Sequence, residues 1–358
     1  MLTYAACAVA LFFAMNIGAS GAAAAISIPY GSGALPNRKI ALLICGIGIF
    51  AGAVIGGGEV VKTIGSSLIP HTFLTVKVVL IILSSAALSL FVANILSIPL
   101  STSEITVGSV VGVGIAYHAL FINNILVIVA FWFIIPIIGF TLGFVFGKLI
   151  QKIQKKYPKL ETGKSKGILS LFLIIVGFFE AFSAGMNNVA NAAGPIVGAG
   201  ILTVKSGIII GGLVIALGAI LLGKGVLQTN AKKITSFSLL EGGAISGTGA
   251  TLVILASIYG LPVPLTQVTS TAIMGIGTAQ RGLEIFKTTV ISKIVKVWLV
   301  SPVLSLVISY GFVKLFVDSD IYTVVVLFGV CAATLGIISL IKTIREDSRS
   351  YYEGGGGI

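Results

Sequence analysis

Residues 185–202 read GMNNVANAAGPIVGAGIL, and the chain holds a second version of this stretch at residues 18–35, GASGAAAAISIPYGSGAL. The two lie against each other without gaps and agree at the first glycine, at both glycines of the Gly-x-Gly pair and at the final leucine. In sequence so rich in Gly and Ala one such match is suggestive, and a second one is independent of it. Residues 99–116 (PLSTSEITVGSVVGVGIA) lie against residues 262–279 (PVPLTQVTSTAIMGIGTA), keeping Pro, Thr and the Gly-x-Gly pair. Both matches come in the same order in each half. Repeated halves whose apolar segments are interrupted by Gly, Pro, Ser and Asn are the pattern of a secondary transporter with its site near the bilayer midplane. The interruptions are the candidate binding positions.

Outward from these stretches the chain is apolar almost throughout: 56% of its 358 residues are hydrophobic and 9% charged, more than a soluble core needs. Runs at Ile40–Gly58, Leu74–Leu96, Ile122–Gly147, Ile168–Phe182, Gly207–Leu222 and Tyr322–Ile341 approach the ~20 residues that cross a hydrocarbon core as helix. The first charge is Arg38, so the N-terminal apolar run lacks the basic flank of a secretory signal and reads as a retained helix. The expected fold is an all-α integral membrane protein with roughly ten to twelve membrane segments.

Seven lysines fall between Lys148 and Lys166, in the only long polar stretch. A net charge of +12 would suggest nucleic acid for a soluble protein; here the partner is the membrane surface, and nucleic acid is excluded. The basic stretch reads as a cytoplasmic loop, 148–167, between an N-terminal repeat, 1–147, and a C-terminal repeat, 168–342, followed by a polar tail, 343–358. Cys7, Cys45 and Cys331 sit in apolar runs without metal-type or paired spacing and read as small buried hydrophobes. The glycine run 354–357 is set aside from the fold.

At the motif residues the chain resembles a known family. Gly185-Met-Asn-Asn-Val-Ala-Asn191 with Gly198-Ala-Gly200 looks like the GANDVAN signature of the inorganic phosphate transporter (PiT) family, and Pro99-Leu-Ser-Thr-Ser103 resembles its PxSTTH motif. Val226-Leu-Gln-Thr229 with Lys233-Ile-Thr235 is similar as well, so both halves are covered. The resemblance implies an inverted-repeat carrier with re-entrant hairpins meeting at a central anion site, coupled to sodium or protons and often a homodimer.

The departures from the family pattern carry the substrate argument. The signature aspartate is missing from both halves, with Gly21 and Asn188 in its place. The histidine after the Ser-Thr run is replaced by Glu104 and by Gln267, and Ala51 and Leu217 stand near the positions of the family's glutamates. Phosphate near neutral pH keeps protons that can donate to a carboxylate, and sulfate has none. Two unit charges about 4 Å apart at an effective dielectric near 20 repel by roughly 4 kcal/mol, around a thousandfold in affinity. A sulfate site should therefore offer donors only: backbone N–H groups, hydroxyls and amides. Ser20, Gly21, Asn187, Asn188, Ser101, Thr102, Ser103 and Thr266 are the candidate substrate-binding residues, and the sulfate-permease branch of the family resembles the chain in the same respect.

Acidic residues inside apolar sequence are costly and point to function. Glu104 and Glu180 are the candidate proton-coupling residues, with a proton preferred over sodium as the coupling ion. Glu59 reads as a helix-end pair with Lys62, Glu241 as interfacial, and His71 and His118 carry no role. The Gly, Ala and Ser runs could serve helix packing alone, and the asparagines could be interhelical hydrogen-bond partners; their recurrence in both halves favours function. No H-E-x-x-H, close carboxylate pair or nucleophile–histidine arrangement is present, so an enzyme, a metal site and a cofactor are not expected. The reading is a multi-pass cell-membrane importer of sulfate by proton symport. A phosphate symporter or an anion channel is the alternative.

Overall fold

The computed structural model describes residues 1–95, 100–234, 237–282, 289–327 and 329–330. Pro99, Thr235, Cys331, most of the Tyr322–Ile341 run and the tail 343–358 lie outside the described residues. The described chain is helical. In the first half come α1 (Leu2–Ile17), a π-helical stretch Gly18–Ala22, then α2 (Ser27–Gly31), α3 (Arg38–Gly56), α4 (Gly58–Ser66), α5 (Val76–Ile95), α6 (Thr102–Ala116) and α7 (Ile122–Lys156). The second half holds α8 (Gly163–Gly198), α9 (Val204–Leu222), α10 (Lys224–Ile234), α11 (Leu239–Ile258), α12 (Leu265–Arg281) and α13 (Thr289–Phe316).

The elements repeat in order and kind. The long α1 with its π-helical end corresponds to α8, and α3 through α7 correspond to α9 through α13. The packing repeats too, by exchange between the halves: α3 lies along α8 and α9 along α1, while α6 packs on α13 and α12 on α7. A helix from each half thus completes the packing of the other. The closeness of one of these crossings is set by glycine, because a Cβ on Gly185 would fall 1.9 Å from the carbonyl oxygen of Ile49, and one on Gly52 would fall 1.9 Å from that of Phe182. The α3 and α8 backbones meet without side chains between them, as small residues permit in membrane helices.

Local chemistry sets where helices begin. Asn37 Oδ1 accepts from Lys39 N at 3.0 Å and Ile40 N at 3.3 Å to cap α3, and Thr203 caps α9 through Ser206 N. Ser238 and Glu241 form a capping box at α11. Each such cap satisfies amides that would otherwise lack partners, worth typically ~1 kcal/mol.

Seven helices among the described residues are long and apolar enough to span a membrane: Leu2–Ala22, Arg38–Gly56, Val76–Ala93, Ile122–Lys156, Gly163–Gly198, Val204–Leu222 and Leu239–Ile258. Thr102–Ala116 and Val300–Phe316 add shorter apolar helices. The Leu239–Ile258 helix is absent from the runs read in the sequence, because its Gly, Ser and Thr residues dilute the apolar signal.

The structure corrects the sequence reading at two places. The basic stretch is mostly helix: α7 runs on through Lys156 and α8 starts at Gly163, leaving a short linker at 157–162. Lysine is a good helix former, so charge alone does not end a helix. Glu161 ties that linker down, its two oxygens accepting from Leu239 N and Leu240 N at 3.3 Å each at the start of α11. Second, residues 185–198 are not an interruption: they form the uninterrupted C-terminal part of α8, Pro195 included. Only the first-half copy departs from regular α-helix, in the π-helical Gly18–Ala22 and the turn after it.

Candidate functional site

Asn187, Asn188 and Asn191 all point from α8 into buried space, where two hairpin tips close on them. The first tip is the start of α6. Ser101 caps this helix by accepting from Glu104 N at 3.4 Å. Thr102 Oγ1 donates to Asn188 Oδ1 at 3.0 Å, and Ser103 Oγ donates to Asn187 Oδ1 at 3.1 Å. Asn191 Nδ2 knits the group together, donating to Thr102 Oγ1 and Asn188 Oδ1 at 3.2 Å each and to Ser103 Oγ at 3.5 Å. The second tip is the α11–α12 connection: Asn187 Nδ2 donates to Ser257 Oγ and to the Leu261 carbonyl at 3.1 Å each, and Asn187 Oδ1 accepts from Val263 N at 3.3 Å. One asparagine in the middle of α8 is therefore bonded to both tips.

The donors left over define what the site can hold. Asn188 Nδ2 has no partner among the described residues, and neither do the amides of Thr102 and Ser103 at the start of α6 or of Leu265 and Thr266 at the start of α12. Free N–H groups at helix N-termini favour anions, through hydrogen bonding and through the helix dipole. Asn191 Oδ1 is a buried acceptor without a partner in the same cluster, and no metal-type cluster of His, Cys, Asp or Glu exists among the described residues.

The remaining sequence candidates make no side-chain hydrogen bond to the three asparagines among the described residues. Ser20 donates to the Asn16 carbonyl at 2.7 Å within its own helix. Gly21, in the π-helical stretch, faces open space, with nothing within 4 Å of where a Cβ would stand. No hydrogen bond joins either to Asn187, Asn188 or Asn191. Thr266 is half-buried at the start of α12, without a side-chain hydrogen bond among the described residues. Glu104 and Glu180 are both buried. Gln267 Nε2 donates to Glu104 Oε1, so the two residues that replace the family histidine bond to each other across the halves. Glu180 Oε1 accepts from Thr269 Oγ1 at 3.0 Å, seven residues and so about 10 Å along α8 from Asn187. Neither carboxyl has a cationic partner: the ion pairs among the described residues are Lys62–Glu59 and Lys314–Asp318. Glu59 thus pairs as its spacing suggests. Glu241 differs from the interfacial reading, being buried at the α11 cap and bonded to Gln280. Asn191 and Ser257 complete the site without having been singled out as binding residues; the three-asparagine spacing was the available signal for the first, and none marked the second.

A family model described as the phosphate transporter family matches residues 17–309. The chain belongs to this family. Among similar proteins, the sulfate permease CysP of Bacillus subtilis (strain 168) is 56% identical over 97% of this chain and 98% of its own. Inorganic phosphate transporter 2-1, chloroplastic, of Arabidopsis thaliana is 26% identical over 84% of this chain and 70% of its own. The solved structure of the sodium-dependent phosphate transporter superposes with a TM-score of 0.76 at 24% identity, covering 88% of this chain and all of that one. Membership of a phosphate transporter family, with permeases among the relatives, makes the chain a multi-pass membrane transporter and not an enzyme.

Proposed function

We propose that this member of the phosphate transporter family imports sulfate, coupled to protons, by alternating access of two inverted halves around the asparagine cluster. The observation that carries the reading is an uncharged cluster with donors to spare: Asn188 stands where the family resemblance places an aspartate, and its Nδ2 and the first amides of α6 and α12, at the tips that Asn187 joins, have no partner among the described residues. A fully ionised tetrahedral anion gains from each donor and meets no carboxylate among these hydrogen-bonding groups. The 56% identity to a sulfate permease supports the same substrate.

Proton coupling rests on Glu104 and Glu180. An ionised carboxylate at either place would be buried without a cation among the described residues, at a cost of several kcal/mol, and would oppose an incoming dianion. A carboxyl that takes up a proton as the anion arrives avoids both penalties. The interleaved helix pairs support an exchange of packing between two equivalent arrangements, as alternating access requires. Uptake of labelled sulfate and phosphate into proteoliposomes, with pH and sodium gradients imposed separately, tests the reading. Sulfate accumulation driven by an inward proton gradient is expected. Phosphate accumulation driven by sodium, with sulfate excluded, would reverse it. Trans-acceleration by unlabelled sulfate separates a carrier from a channel.

A further inference from the structure

The two copies of the first motif fold differently. Residues 194–198 are continuous helix in α8, whereas their counterparts 27–31 form α2, set apart by the π-helical Gly18–Ala22 and a turn at 25–26. α2 lies in a groove between α8 and α11. Pro29 rests on Gly177 of α8, and Ile28 on Gly242 of α11, where a Cβ would stand 2.8 Å from Ile28 Cγ2. There Ile28 joins Leu173 of α8, Leu239 and Ile245 of α11, and Ala272 and Ile276 of α12 in a buried apolar cluster separate from the main core. The cluster lies between the asparagine site and the 157–162 linker. Leu173 is a neighbour of Gly242, and seven residues further along each helix, about 10 Å, the Glu180 carboxyl lies against Gly249. Asn187 is as far again along α8. On the opposite side of the cluster, Glu161 of the linker holds the start of α11.

We infer that α2 is the gate at the linker face: docked in the α8–α11 groove it seals Glu180 and the asparagine cluster from the water of that face, and it swings out of the groove to open them. This gate presupposes the alternating access proposed above and names the element that moves. Ile28 is the one member of the apolar cluster carried by a short element, since α2 has five residues and the others stand on helices of 36, 20 and 17. The stretch before it is clamped at one end and open at the other. A Cβ on Gly18 would run into the Ile215 carbonyl of α9, while one on Gly21 would meet nothing within 4 Å, so the pivot lies just after Gly18. Ser27 Oγ is buried in α2 without a partner among the described residues, a cost that ends when α2 leaves the groove and the hydroxyl meets water. In inverted repeats equivalent parts serve opposite faces in turn, and the straight copy at 194–198 shows the other form that this stretch of sequence adopts.

The test uses the full chain in membrane vesicles, with Cys7→Ala, Cys331→Ala and Cys45→Ser, the last keeping a donor to the Ala22 carbonyl. Ile28→Cys with Gly242→Cys then places two thiols within disulfide range. Oxidation should lower sulfate counterflow roughly tenfold or more in the double variant and leave either single variant unchanged, and dithiothreitol should restore it. A second arm needs no anion. Thr248→Cys, buried on α11 between Gly242 and Ser257, should react with an impermeant thiol reagent applied from the face at which Lys156→Cys is labelled, and the 28–242 disulfide should slow that reaction by a similar factor. Undiminished counterflow in the cross-linked chain, or Thr248→Cys labelling that the disulfide leaves unchanged, would show that α2 stays in place and overturn the inference. A pair that fails to cross-link would overturn it as well, since α2 would then not dock on α11. If the untreated chain shows no sulfate counterflow, the sulfate reading fails and the labelling arm alone decides whether α2 moves.

Discussion

Thr102, at the first turn of α6, donates its hydroxyl hydrogen to Asn188 Oδ1 in the body of α8, 3.0 Å away. Asn191 Nδ2 donates to both of them, so a helix N-terminus from one half is held against an asparagine triad of the other by a closed set of hydrogen bonds. The amide nitrogen of Asn188 is left outside that set. Its oxygen ties α6 to α8, and its nitrogen has no partner among the described residues.

Asn188→Asp keeps the accepting oxygen, so Thr102 and Asn191 retain their partner and the fold should persist. The change removes the free donor and adds a charge. Sulfate affinity is expected to fall on the order of a hundred- to a thousandfold, with phosphate affected less because its proton can donate to the new carboxylate. Binding of both anions measured at neutral and mildly alkaline pH checks this. Unchanged sulfate affinity would mean that position 188 does not face the anion.

Glu104→Gln and Glu180→Gln remove a titrating proton at nearly constant shape. Each is expected to lose much of the uptake driven by an inward proton gradient while retaining sulfate exchange without a gradient. Both assays run on the same proteoliposomes. Full gradient-driven uptake in both variants would exclude these carboxyls from coupling and turn attention to sodium.

The orientation of the basic segment follows from the positive-inside rule. Lys156, at the exposed end of α7, is expected on the cytoplasmic side. A cysteine placed at Lys156 should resist an impermeant thiol reagent in intact cells and react once the cells are opened. Ready labelling in intact cells would reverse the topology.

Gly185→Ala tests the α3–α8 crossing, since the added methyl meets the Ile49 carbonyl at 1.9 Å and backbone has to move. A destabilisation of about 1–3 kcal/mol is expected from overpacking. It would be read as a lower midpoint in thermal unfolding of the detergent-solubilised protein. Gly21→Ala, which meets nothing within 4 Å, is the control and should cost much less. Equal midpoints would show that the crossing relaxes freely.

Much of the site was legible because the repeat marks it twice. Ser103, Asn187 and Asn188 stand in matched motifs, and the equivalence of Glu104 with Gln267 can be read by aligning Pro99 with Pro262. Their meeting could not be read, because the hydrogen bond between Glu104 and Gln267 spans 163 residues and exists only once the packing of α6 on α13 and of α12 on α7 has brought the two side chains together. The Asn-Asn-x-x-Asn stretch was mistaken for a break because Asn, Gly and Pro lower helix propensity. In the structure α3, α4 and α11 pack along α8 and hold it straight, tertiary contact outweighing local preference.

By itself the sequence determined the class, the two-half organisation and the chemical types at the site, because hydropathy, repeats and residue identity are local properties that bilayer and anion chemistry constrain directly. Only the tertiary structure decided which donors are spent and which are free: that Asn187 is consumed in joining two hairpin tips, that Asn188 keeps its amide, and that Ser20 turns back on its own helix. The physical reason is that a hydrogen bond depends on distance and direction between groups far apart in the chain, and those are fixed only once the helices cross.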